Sequence, residues 1–170
     1  TIADTILSDD QSHDDPNRPS IRPILGAGVI IAKQQIAPNR YQILVQGVTR
    51  VIMRDELEQT MPFRQVHAEI LLDEETDEIG LGEVEDRLRE LIGHFAVHNE
   101  SQSKALYELL ENSPNADILG NMISANIVSA PALRQTLFEE LNPLNRLKMI
   151  YQHIGDLLLQ SETSASSDLI

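Results

Sequence analysis

The segment that most constrains the fold runs from Ala27 to Met53. It holds three apolar, β-branched runs, Val29-Ile30-Ile31, Tyr41 to Val45 and Val48 to Met53, separated by Ala37-Pro38-Asn39 and by Gly47. Pro and Asn set turn dihedrals at low cost, so the first run is expected to reverse into the second as an antiparallel hairpin. Gly47 marks the next break, and the segment predicts a three-stranded meander. Tyr41, Ile43 and Val45 alternate with Gln42, Leu44 and Gln46, the period of a strand with one buried face. A core is therefore expected on one side of the sheet only.

Upstream, Thr1 to Leu7 predicts one short strand anchored by Ile2 and Ile6. Ser8 to Pro23 is rich in Asp and Pro with almost nothing apolar, so it reads as a solvated loop; Asp9 to Asp15 lacks the spacing and the closing Glu of a calcium loop. Downstream, Asp55 to Pro62 is a charged connector. Phe63 to Leu72 predicts a further strand with Val66, Ala68, Ile70 and Leu72 on one face and His67 on the other, facing solvent.

The hydrophobic period then changes. Asp73 to Glu90 carries nine acids and two arginines, a net of −7, and reads as a linker and helix start where acids favour the dipole; an electrostatic docking patch is the other reading. Gly80-Leu81-Gly82 punctuates it. Val84, Leu88, Leu91, Ile92 and Phe95 form a helical stripe, continued by Leu106, Leu109 and Leu110. Ser113-Pro114, Ala130-Pro131 and Asn142-Pro143 each look like a helix start, and the tail from Ser161 is expected to fray. The fold class is α+β: a β subdomain over 1–78, a helical subdomain over 79–162 and a disordered tail over 163–170.

With 27 acids against 13 Lys and Arg the formal charge is −14, which repels phosphate and argues against nucleic acid. No cysteine is present, which removes disulfides and thiolate sites and suits a reducing, cytoplasmic setting. No apolar run is long enough for a membrane helix. There is no Walker-type phosphate loop, and no cofactor is expected. His94 and His98 have i,i+4 spacing but lack the glutamate of a zincin, so no metal is assigned. These features favour a binding module with no catalytic residues; a small acidic hydrolase is the enzymatic alternative. Met53, Met61 and Phe63 are the candidate substrate-binding residues, because Met and aromatic side chains on a connector adapt to varied apolar peptides, unless they seal the mouth of the sheet.

Gly47-Val48-Thr49-Arg50 resembles the G-x-x-R strand junction of the substrate-binding domain of Lon proteases. Leu119-Gly-Asn-Met-Ile123-Ser-Ala125, then Arg134-Gln135-Thr-Leu137-Phe138-Glu139 and Arg146-Leu147, are similar to the pattern of that family's helical half, in the same order. The resemblance spans roughly residues 24 to 160. It implies a PUA-like antiparallel β pseudo-barrel followed by a helical bundle, engaging unfolded or tagged protein substrates for an ATP-dependent protease, or a stand-alone interaction protein of the same fold. Family members open with an apolar strand and a Leu-Phe-Pro type motif that does not precede Thr1. Either the sequence is a fragment that starts late or the barrel has lost its first strand; the second case leaves an edge to be closed by Thr1 to Leu7 or by a second copy in a homodimer.

Overall fold

The computed structural model describes residues 2–4, 20–58, 60–98 and 101–167. Ile6, most of the Ser8 to Pro23 loop and the Asp9 to Asp15 run lie outside the described residues. The chain divides into two units, Thr1–Leu72 and Asp73–Ile170, the first of strands and the second of helices.

In the first unit β1 (Ile2–Asp4), β2 (Ile24–Ala37), β3 (Arg40–Glu56) and β4 (Val66–Leu71) form an antiparallel sheet in the order β1-β2-β3-β4. β2 and β3 are joined through Pro38 and Asn39, and Asn39 sits in the left-handed region at φ 59°, a conformation Asn tolerates better than most residues. Ile2 to Asp4 pairs with Gly28 to Gly26, so part of the outer edge of β2 is taken within the chain.

The expected three-strand meander is two long strands, because Gly47 does not end β3. Ala27 opposes Thr49 and Gly28 opposes Gly47, which leaves Val48 as the extra residue of a bulge. Gly28 is what permits that approach: a Cβ there would stand 2.6 Å from the Gln46 carbonyl oxygen.

The one-sided core also needs correction. Leu25 and Val51, a cross-strand pair, are buried, but Val29, Ile30, Ile31, Tyr41, Ile43, Leu44 and Val45 are all exposed. Alternation marks which side chains share a face; it does not supply the layer that covers them. β1 reaches only Gly26 to Gly28 and β4 pairs β3 only from Arg50 onward, so residues 29–49 form a two-stranded ribbon with no strand beside it among the described residues. Of the expected apolar face of β4, Val66 is half-buried and Ile70 exposed, and Leu72, just past the strand, is exposed too.

The second unit comprises α1 (Glu78–His98), α2 (Ser103–Glu111), α3 (Ala116–Asn126), α4 (Pro131–Glu139) and α5 (Pro143–Ser167). Leu88, Ile92, Leu119, Ile123, Leu137, Leu147, Ile150 and Ile154 are the centre of its core. Pro131 and Pro143 open α4 and α5 as expected. Three boundaries differ. Gly80 to Gly82 lies inside α1, whose first turn is held by Asp77 Oδ1 accepting from the Ile79 amide at 3.1 Å. Ser113 does not start α3: its hydroxyl donates to the Leu109 carbonyl, finishing α2, while the Asn115 side chain caps α3 by accepting from the Ile118 amide. Helix α5 runs to Ser167 instead of fraying at Ser161, since that stretch contains neither Pro nor Gly.

Candidate functional site

The ribbon formed by residues 29–49 carries a run of exposed apolar side chains. Cross-strand pairing sorts its side chains: Ile30 opposes Val45, Lys33 opposes Ile43 and Gln35 opposes Tyr41, which places Ile30, Tyr41, Ile43 and Val45 on one face with Lys33. Tyr41 is 51% exposed and Ile43 43%. Lys33 Nζ lies 4.8 Å from the centre of the Tyr41 ring, a cation–π contact that steadies both side chains on that face. The opposite face carries Val29, Leu44, Gln34, Gln42 and Gln46.

Charge separates along the chain. From Pro16 to Arg54 there is no Asp or Glu, but there are Arg18, Arg22, Lys33, Arg40, Arg50 and Arg54. The apolar ribbon of a strongly acidic protein is thus locally cationic. The sequence signal for this site was present, in the Gln-interleaved aliphatic run and the missing acids, but the alternation pointed to a covered face.

Of the three proposed binding residues, Met61 and Phe63 both lie on the connector between β3 and β4. That connector is closed at its base by the Leu57 amide donating to Gln65 O at 2.8 Å and by a two-pronged pair, Arg64 Nε to Glu56 Oε1 at 2.5 Å and Arg64 Nη2 to Glu56 Oε2 at 2.8 Å. Both side chains are exposed, 51% and 59%. Met53 is half-buried within β3, opposite Ala68.

On the same sheet Arg54 Nη2 donates to Glu69 Oε2 at 2.6 Å, and this hydrogen bond, then the charge itself, hold the Glu69 carboxyl below its ordinary range. His67 faces solvent and pairs with Asp55 at 2.8 Å.

Part of the acidic segment is structural: Asp73 pairs with Arg146, Asp77 caps α1, and Glu85 pairs with Arg89. His94 and His98 are exposed on α1, and His98 Nδ1 lies 2.9 Å from the His94 carbonyl oxygen. A cleft of about 370 Å³ between α2 and α3 is lined by Leu106, Leu109, Met122 and Ile127 with Gln102, Glu108 and Asn126. It offers one carboxylate, Glu108, which already faces Lys104 at 3.7 Å. That is too few titratable groups for paired acid–base chemistry. Among the described residues no helix is long and apolar enough to cross a membrane.

The family model described as the ATP-dependent protease La (LON) substrate-binding domain matches residues 5–156. No curated protein matches the chain in sequence. Among solved structures the chain is similar to the N-terminal domain of Mycobacterium avium complex Lon protease, at 12% identity and TM-score 0.63, over 91% of this chain and 90% of that one. At that identity the likeness concerns the fold, which is α+β in both.

Proposed function

The chain belongs to the ATP-dependent protease La (LON) substrate-binding domain family, and from that premise we propose that it captures unfolded or tagged polypeptide for an ATP-dependent protease in the cytoplasm, without catalysing a reaction itself. The carrying observation is the ribbon, where Ile30, Tyr41, Ile43 and Val45 stand exposed on one face. Exposed apolar groups that share a face are costly to keep in water, and such surfaces commonly mark interaction sites. Met61 and Phe63 extend the same chemistry onto the connector. In architecture, the reading takes the sheet as PUA-like and the five helices as a bundle.

Fluorescence anisotropy of a labelled, denatured protein tests this. Saturable binding without nucleotide is expected, and a Met61→Ser/Phe63→Ser variant should bind several-fold more weakly. Absence of binding by the unaltered chain rejects the reading.

A further inference from the structure

We propose that the outer edge of β3 from Arg40 to Gly47 is a strand-addition site for an extended polypeptide segment with apolar residues at alternate positions and net negative charge. This rests on the substrate-binding reading and specifies its mode. Among the described residues, β4 leaves this edge open, because it pairs only from Arg50 onward. A row of free backbone N–H and C=O groups is a template for another strand.

The other open edges are poorer templates. On β2, register shifts between Ile30 and Ala32 and between Gln35 and Ala37 leave Ile31 and Ile36 as extra residues, and Lys33 stands between them. Bulges break a ladder, and an edge lysine discourages pairing. β4 is six residues long and carries His67 and Glu69. Arg40 to Gly47, by contrast, pairs with β2 without an extra residue of its own and is uncharged beyond Arg40.

The side chains fix the occupant. Tyr41, Ile43 and Val45 share one face, so an added strand gains by placing its own apolar residues there. Arg40, which alternates onto the opposite face with Gln42 and Gln46, favours carboxylates at the intervening positions of that strand, with no acid of the ribbon to oppose it. A second copy is disfavoured, since it would bring an equally cationic ribbon alongside. Nucleic acid is disfavoured too, because the face is aliphatic with one aromatic ring, and base stacking needs several.

The test uses the whole chain and a fluorescent peptide of about ten residues alternating valine with glutamate. Amide hydrogen exchange is followed by NMR with and without peptide. Slower exchange within Arg40–Gly47, with no change in Val29–Ala37, is expected. Ile43→Glu should weaken the peptide about tenfold, and Ile31→Glu, with the same charge change on the bulged strand, should not.

Capture of denatured protein by a chain that shows no protection at Arg40–Gly47 overturns the edge proposal and leaves the substrate reading standing. Failure to capture denatured protein at all removes the substrate reading. Displacement of the peptide by a single-stranded oligonucleotide, or protection of the same amides by dimer formation without peptide, also overturns it.

Discussion

Arg146 Nη2 donates to Asp73 Oδ1 at 2.8 Å, so the guanidinium of α5 is tied to the residue at which the helical unit begins. The same group donates to Asp117 Oδ1 at 3.1 Å and to the Glu140 carbonyl, and Arg146 is only 2% exposed. Three separate segments of the second unit thus converge on one buried cation. Its fork of donors suits that task better than a lysine ammonium does.

Removing Arg146 takes the side-chain donor from the Glu140 carbonyl and the guanidinium from Asp73 and Asp117. We expect Arg146→Ala to cost about 3 kcal/mol in urea unfolding, and Arg146→Lys to recover only part. Asp117→Asn should cost far less, as Asp117 is 54% exposed and water replaces the partner.

Arg134 closes the end of α3 in a related way. Its Nη2 donates to the Ala125 carbonyl at 3.0 Å, an acceptor that the helix leaves open, and its Nε to the Val128 carbonyl just beyond the helix. Arg134→Ala is expected to lower stability by about 1–2 kcal/mol without changing peptide binding. A loss of binding greater than the loss of folded protein would contradict this.

Local rules made much of this readable. The change of period after Leu72, the prolines at 131 and 143, and the Pro-Asn turn were legible because each acts within a few residues of itself. The motif that carried the resemblance in the sheet was legible for a topological reason. Arg50 opposes both Gly26 and Leu71, so Gly47 to Arg50 is where β3 turns from a ribbon edge into a central strand. What escaped the sequence depended on distant partners. Tyr41 to Gln46 alternates as a covered strand would, yet coverage needs another layer, and no residue near it in sequence states whether one exists. Ser113 offers the same lesson in miniature: Ser before Pro is a good cap signal, but the Leu109 carbonyl was the nearer partner, and Asn115 did the capping.

The bulge supplies a paired test. A Cβ at Gly28 would meet the Gln46 carbonyl oxygen at 2.6 Å and the Val45 side chain at 2.7 Å, whereas one at Gly47 would meet nothing within 4 Å. Gly28→Ala should therefore destabilise the sheet by about 1–3 kcal/mol, as backbone has to shift. Gly47→Ala is expected to be close to neutral. Equal effects of the two, measured by thermal unfolding, would contradict the bulge geometry.

The Arg54–Glu69 pair gives the chain a defined acid response. Glu69 is held below its ordinary range by the hydrogen bond and charge of Arg54, so its folded value lies under its unfolded one. The stabilisation is then complete above the unfolded glutamate range, declines as pH falls through it, and is gone once pH drops below the folded value. Both side chains are exposed, so salt should screen the effect. An NMR titration of the Glu69 carboxyl should show a midpoint below that of a free glutamate, moving up in Arg54→Gln and upward also with added salt. A midpoint indifferent to Arg54→Gln would mean that the two side chains do not pair in solution.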